Sequence, residues 1–174
     1  PTLCYLKGAT PTGGCRICVV EVENARNLLP ACSPPAQPGM VIHTESPAVV
    51  ASRKMSIELL LASGNHNCAV RGSDETGSFT DFQLDVQAQD HSDRLCPAWG
   101  DCTLQDLAYR YQVSGEAFPA TEVRYPLESV NPFIVRDFSR CILCGRCVQA
   151  CNEIQVNNAI SFGYRGKNSK IVAA

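Results

Sequence analysis

The sequence is poor in aromatic residues and in charge of either sign, and it has no long apolar segment. Aromatic residues make up 7% and charged residues 18% of its 174 residues, and the formal net charge is −2. A net charge this small predicts neither nucleic-acid binding nor adsorption to a membrane surface. The longest apolar run, 57–62, is interrupted by Glu58. No segment is therefore predicted to span a bilayer.

Several motifs of catalytic and nucleotide-binding proteins are also missing. There is no G-x-G-x-x-G or Walker loop, so the sequence predicts no direct binding of NAD or ATP. No spacing of Ser, His and Asp suggests a catalytic triad, and neither a secretory signal nor an internal repeat is visible. We therefore expect a cytoplasmic chain without a substrate-binding catalytic site of its own.

Cysteine, in contrast, is abundant, with 11 residues. The odd number and the C-x2-C spacing in two places argue against a secreted disulfide framework, and a reducing compartment is the expected environment. The cysteines fall into three groups in chain order. These are Cys4, Cys15, Cys18 and Cys32; then Cys68, Cys96 and Cys102; then Cys141, Cys144, Cys147 and Cys151.

The third group has the spacing C-x2-C-x2-C-x3-C, which is the ligand run of bacterial ferredoxin-type [4Fe–4S] sites. Cys141, Cys144 and Cys147 are predicted to bind one cubane cluster. In two-cluster ferredoxins the fourth cysteine of the run ligates the other cluster, so Cys151 is predicted to serve a cluster completed outside this chain. The alternative, in which all four cysteines close a single cluster, remains open.

The first group lies in a segment that the sequence predicts to be β-rich. Gly13 and Gly14 precede Cys15, and glycine allows the backbone to turn close to a cluster and to aim amide N–H groups at sulfur. Four thiolates in a β-rich unit favour a [2Fe–2S] cluster, although the spacing is not that of plant-type ferredoxins. Zinc remains the alternative for this group taken alone.

Hydrophobic periodicity and helix signals predict the regular elements. Ser46 is the expected N-cap of a helix that begins at Pro47 and ends near Ser63, and Thr103 is the expected N-cap of a second helix. The predicted strands are 18–23 and 39–44, the second helix runs over 103–112, and 114–132 is predicted to be an irregular connector.

The context of the first group resembles a known family. Residues 1–8 read Pro-Thr-Leu-Cys-Tyr-Leu-Lys-Gly and residues 13–22 read Gly-Gly-Cys-Arg-Ile-Cys-Val-Val-Glu-Val. Both resemble the N-terminal [2Fe–2S] domain of the complex I large iron–sulfur subunit family. The same architecture recurs in NAD-linked formate dehydrogenase alpha subunits and in the small diaphorase subunit of NAD-reducing hydrogenases. That family has a β-grasp hairpin before the first cysteine, and its absence here leads us to expect a piece of something longer.

The resemblance also implies a ligand set for the middle group. The family places one His and three Cys around a [4Fe–4S] cluster, followed by Leu-Gln-Asp-Leu-Ala, which here is 104–108. Arg71 stands where the middle cysteine is expected, and a cysteine reappears after a polar insertion at 71–95, a length that a surface loop tolerates. The implied ligands are His66, Cys68, Cys96 and Cys102. His91 is the competing histidine, and His43 is expected to be structural.

The fold class implied by the resemblance is α+β in three parts. A truncated β-grasp [2Fe–2S] ferredoxin-like domain covers 1–45. A helical His/Cys3 [4Fe–4S] domain covers 46–125, including the insertion 71–95. An incomplete bacterial ferredoxin-like [4Fe–4S] domain covers 126–174.

The function implied by the resemblance is electron transfer inside a cytoplasmic NAD(P)-linked oxidoreductase complex. The chain would relay single electrons between a flavin subunit that handles NAD(P) and a catalytic site. The phrase over 131–147 looks most like formate dehydrogenase alpha subunits, which favours a molybdenum or tungsten pterin partner. The His-x-Cys pair looks more like the hydrogenase diaphorase subunit, which makes a [NiFe] hydrogenase the alternative partner. An independent ferredoxin-like carrier is a further alternative, and exposed apolar faces around Phe133–Val135 would argue against it.

Overall fold

A computed structural model of the chain describes residues 1–63, 98, 101–113, 117–119 and 125–173. These residues form a mixed α/β structure of small sheets and short helices. The proposed ligands His66, Cys68 and Cys96, the competing His91 and the insertion 71–95 lie outside the described residues. The strands are β1 (Val19–Val22), β2 (Leu29–Pro30), β3 (Ile42–His43), β4 (Glu128–Asn131), β5 (Ile134–Arg136), β6 (Ile160–Gly163) and β7 (Lys170–Ala173). The α-helices are α1 (Pro47–Ala62), α2 (Thr103–Arg110) and α3 (Arg146–Gln149).

The first unit is a three-stranded antiparallel sheet in the order β2-β1-β3. Val19 lies opposite Pro30, and Val22 lies opposite Ile42. The central strand is largely buried, whereas β3 is exposed. Both predicted strands are present and are shorter than the sequence pattern suggests, because the flanking residues form turns.

The helix predicted after Ser46 is confirmed. Ser46 is its N-cap, with Oγ accepting a hydrogen bond from the Val49 amide at 3.4 Å, and Pro47 occupies the first turn, where its missing N–H has no cost. Ser63 ends the helix, and its amide donates to the Leu60 carbonyl. The helix buries Ile57 and Leu61 against the core.

The second predicted helix is also present, but its predicted cap is wrong. Cys102, in an extended conformation with φ −140° and ψ 116°, is the N-cap of α2, and its side chain makes no capping bond. Thr103 is therefore already helical. Leu104, Leu107 and Ala108 pack with Leu3 and Ile17 of the first unit and with α1, so one core crosses the boundary that we predicted at residue 45.

The C-terminal part consists of two hairpins around the third cysteine group. β4 pairs with β5, so the prediction of an irregular connector through residue 132 is wrong for residues 128–131. Pro132 lies in the turn between the two strands, where it removes no ladder hydrogen bond. β6 pairs with β7 over four residue pairs, from Ile160 with Ala173 to Gly163 with Lys170. Within the residues described, no helix is long and apolar enough to cross a membrane.

Candidate metal centres

The four cysteines of the first group meet at one end of the β1–β2 pair. Cys18 directly precedes β1, and Cys32 follows β2 by one residue. The Ala31 amide donates to the Cys18 carbonyl at 3.0 Å, which extends the strand pairing toward Cys32. On the other side, the Cys15 amide donates to Cys4 Sγ at 3.4 Å. Strand pairing and this N–H···S contact thus bring residues that are far apart in sequence to one place.

The thiols of this group also influence one another's pKa values. Burial raises the pKa of the Cys4 thiol, but hydrogen bonds from the Cys15 and Gly14 amides and from the Thr12 side chain outweigh burial, so the net pKa is lowered. Burial raises the pKa of Cys18, and the nearby thiols of Cys32 and Cys15 raise it further against a hydrogen bond from the Cys32 amide. Thiolates that repel one another in this way are stabilised by a shared cation.

The donor set of the first group fits an iron–sulfur cluster. All nine cysteines in the described part of the chain are free thiols, so no disulfide competes for them. No three Cys, His, Asp or Glu side chains among the described residues converge on a single ion position. A [2Fe–2S] cluster divides four thiolates between two irons, so it does not require all four sulfurs to surround one ion. The four free thiols are compatible with such a cluster, and zinc stays the alternative for this group taken alone.

The third group lies on a loop that turns sharply at two left-handed residues. Leu143 has φ +53° and Gly145 has φ +77°, and the turn lets the Leu143 amide donate to Cys141 Sγ at 3.4 Å. Burial raises the pKa of Cys141, and the adjacent Cys144 and Cys147 thiols raise it further against that amide bond. Amide hydrogen bonds to sulfur are one of the means by which proteins tune iron–sulfur clusters. Three neighbouring thiols with such a bond fit one cubane.

Cys151, the fourth member of the run, has a different environment. It lies in a π-helical turn, Ala150–Ile154, that continues α3, and its Sγ accepts a hydrogen bond from the Ala159 amide at 3.3 Å. The thiols that raise the pKa of Cys141 are Cys144 and Cys147. This is compatible with Cys151 serving a separate cluster, which remains a prediction.

Two cavities adjoin the third group. One, of about 980 Å³, is lined by Cys141 and Cys147 together with mostly apolar residues of the β4–β5 hairpin and of β6 and β7. The other, of about 720 Å³, is lined by Cys144 on one side and by Cys4 and Cys15 on the other, with α1 as a third wall. The first and third cysteine groups therefore face a common space.

Of the middle group, only Cys102 lies among the described residues. It is half-buried and packs against the hydrophobic core, immediately before α2. The ligand set of His66, Cys68, Cys96 and Cys102 stays a prediction. His43, expected to be structural, lies at the surface with Nε2 3.3 Å from Glu23 Oε1.

Three polar residues near these sites escaped the sequence-based reasoning. Arg53 is buried on α1, and Gln149 is buried on α3, whereas Glu153 is exposed and bonds to the loop of the first group. Arg53 occupies a position within the apolar stripe of α1, and a cation in such a stripe is the one sequence signal that could have drawn attention to it. No local pattern marks the other two, because their partner is about 140 residues away in sequence.

Two segments of the chain match models of known protein families. Residues 1–47 match the 2Fe-2S iron–sulfur cluster binding domain, and residues 131–174 match the ferredoxin-like domain of NADH-quinone oxidoreductase subunit 3. The chain is 31% identical to NADP-reducing hydrogenase subunit HndD of Solidesulfovibrio fructosivorans, covering 100% of this chain and 26% of that protein. It is 30% identical to an NADH-quinone oxidoreductase subunit of Rhizobium meliloti (strain 1021), covering 88% of this chain and 15% of that protein.

A solved structure of a similar protein also matches nearly the whole chain. The structure of an NAD+-reducing [NiFe]-hydrogenase in its H2-reduced state superposes with a TM-score of 0.78 at 30% identity, covering 99% of this chain and 62% of that one. The chain thus spans about a quarter or less of the two sequence relatives named above.

The matched domains and the grouped thiols define an iron–sulfur protein of the electron-transfer class. More particularly, the chain carries the iron–sulfur region of the complex I large iron–sulfur subunit family, the family that its cysteine motifs resemble.

Proposed function

We propose that this chain relays single electrons between a flavin-containing subunit that handles NAD(P) and a catalytic site of the same oxidoreductase complex. Cys4, Cys15, Cys18 and Cys32 would hold a [2Fe–2S] cluster. Cys141, Cys144 and Cys147 would hold a ferredoxin-type [4Fe–4S] cluster, with Cys151 directed to a further one. His66, Cys68, Cys96 and Cys102 would hold the remaining [4Fe–4S] cluster. When bound, such clusters accept and release one electron at a time.

The single observation that carries this proposal is the shared cavity between two thiol groups. Cys4 and Cys15 line one side of it and Cys144 lines the other. The protein brings these groups together through a joint core and long-range contacts rather than through the local chain. An electron relay needs two cluster sites close to each other, and this cavity has thiols of two predicted sites on its walls.

An exposed apolar surface favours a relay inside a larger assembly over a free carrier. Val130 is 100% exposed and Phe133 92% exposed at the tip of the β4–β5 hairpin. Leu127, Ile134 and Val135 are exposed beside them. We call these five residues the apolar hairpin. A freely diffusing protein rarely leaves so compact a set of large apolar side chains in water.

The catalytic end of the proposed relay has two candidates. The resemblance of the sequence 131–147 to formate dehydrogenase alpha subunits favours a formate dehydrogenase with a molybdenum or tungsten pterin. The similarity to HndD and to the [NiFe]-hydrogenase structure favours a hydrogenase to the same degree. We propose a cytoplasmic complex of one of these two types, in which the chain itself has no substrate site.

The test is an anaerobic redox titration of the full-length protein with its natural partner subunits. NADH or NADPH is added, and cluster reduction is followed by electron paramagnetic resonance. Reduction of a [2Fe–2S] and at least one [4Fe–4S] signal supports the relay, and their absence in iron-loaded protein contradicts it. Formate and H2 are then tried as reductants, and the one that reduces the same clusters identifies the catalytic end.

A further inference from the structure

Two side chains after the third cysteine group hold the backbone of one residue in the first group's loop. Gln149 Nε2 donates to the Thr10 carbonyl oxygen at 2.7 Å. The Thr10 amide donates to Glu153 Oε2 at 2.6 Å. Both backbone polar groups of Thr10 are thus bonded by side chains that lie four residues apart, on one face of the helical segment. We call Thr10, Gln149 and Glu153 the Thr10 clamp.

The clamp joins two predicted ligand loops directly. Thr10 lies between Cys4 and Cys15 in sequence, whereas Gln149 and Glu153 lie two residues on either side of Cys151. The cavity between the first and third groups, about 720 Å³, includes Gln149 in its lining. The clamp is therefore a direct polar contact across the interface between those two groups.

The hydrogen-bonding partners determine which way the Gln149 side-chain amide is turned. The Thr10 carbonyl can only accept a hydrogen bond, so the Gln149 amide must present its NH2 group to it. Gln149 is 6% exposed, so water competes little for that bond. Glu153 is exposed, and its carboxylate accepts from an amide, which is a charge-assisted bond. Thr10 is thus held through both its carbonyl and its amide, once by a buried group and once by a charged one.

We propose that the Thr10 clamp is a positioning device that sets the distance between the first and third cysteine groups, and thereby the rate of electron transfer between the clusters they would hold. This inference rests on the proposed function. Electron tunnelling weakens steeply with distance, so a loop that moves away by a small amount slows the transfer without changing either cluster. The protein's contribution to redox chemistry is this kind of positioning.

The experiment uses anaerobically purified full-length protein carrying Gln149→Leu together with Glu153→Ala. The matched control is Gln155→Leu, which changes an exposed glutamine of the same segment. Glu153→Gln is the conservative variant, because its amide oxygen can still accept from Thr10. Iron content, the spectrum of each cluster, the magnetic relaxation enhancement between the two clusters and the rate of electron transfer between them are measured for each protein.

The clamp predicts that the double variant keeps its iron and both spectra, whereas the relaxation enhancement weakens and electron transfer slows several-fold. Glu153→Gln and Gln155→Leu stay near wild type. If the double variant loses a cluster, Glu153→Ala alone is measured, and the same weakening supports the clamp. Wild-type coupling and rate in an iron-loaded clamp variant overturn the inference but leave the relay intact. Wild-type protein without a cluster at either group overturns the proposed function and the clamp with it.

Discussion

Arg53 of α1 donates from Nη1 to the phenolic oxygen of Tyr111 at 2.8 Å, and from Nη2 to the Val19 carbonyl, also at 2.8 Å. Val19 is the first residue of β1 and directly follows Cys18. Tyr111 is the first residue after α2, and Cys102 is the N-cap of that same helix. One guanidinium group therefore links the strand next to the first cysteine group to the helix next to the middle group. Arg53 is 1% exposed, so these bonds form in a largely dry environment.

Replacing Arg53 by Met should destabilise the fold more than any exposed substitution on the same helix. The change leaves the Val19 carbonyl and the Tyr111 hydroxyl buried without their donor, at a cost of about 2–4 kcal/mol in total. Tyr111→Phe removes only one of these bonds and should cost about 1 kcal/mol. Anaerobic urea unfolding, followed by the visible absorbance of the clusters, measures both. Lys54→Met, which removes an exposed neighbouring cation, is the control and should change little. Equal stability of the Arg53 and Lys54 variants would contradict the prediction.

Replacing Gly145 by Ala should weaken the third cysteine group. Gly145 has φ +77°, and a methyl group there would approach the Phe162 ring to 3.1 Å. The left-handed conformation alone costs about 1–2 kcal/mol for a residue with a Cβ. Gly166→Ala is the matched control, because Gly166 has φ +59° but open space around it. Both variants should lose stability, but only Gly145→Ala should also lose iron from the ferredoxin-type site, as measured by iron analysis and cluster spectra. Equal iron retention in the two variants would contradict the prediction that the turn at Gly145 positions the cysteine ligands.

The sequence predicted the elements that depend on local signals. The Ser46-Pro47 pair marks the start of α1, because capping needs particular residues at short, fixed spacings. The C-x2-C runs are a local signal of the same kind, and the cluster binding they predict stays a prediction. The sequence did not predict the β4–β5 hairpin, since Pro132 reads as a breaker although it lies in the turn. It also missed the shared core and the Thr10 clamp. Those depend on contacts between residues far apart in the chain, such as Gln149 with Thr10, which no local pattern encodes.

Removing a single thiolate from one group should empty that group and spare the other. Cys18→Ala should abolish the [2Fe–2S] signal, because the remaining three cysteines leave one iron without its second thiolate. Cys141→Ala should abolish the ferredoxin-type [4Fe–4S] signal, because one iron of the cubane loses its only protein ligand. Each variant is compared with wild type by iron and sulfide content and by electron paramagnetic resonance of dithionite-reduced protein. Loss of both signals in either variant would mean that the two groups do not bind clusters independently.

Replacing His66 by Cys should lower the reduction potential of the cluster held by the middle group. A thiolate in place of a neutral imidazole adds one negative charge to the cluster, which makes the reduced, more negative state less favourable. In Rieske centres two histidine ligands raise the potential by several hundred millivolts, so a single exchange should shift it on the order of 100 mV. An anaerobic redox titration of the full-length protein measures the shift. His91→Cys is the matched control, because His91 is the competing histidine near Cys96, and it should leave the potential unchanged. A shift on changing His91 and none on changing His66 would transfer the ligand role to His91.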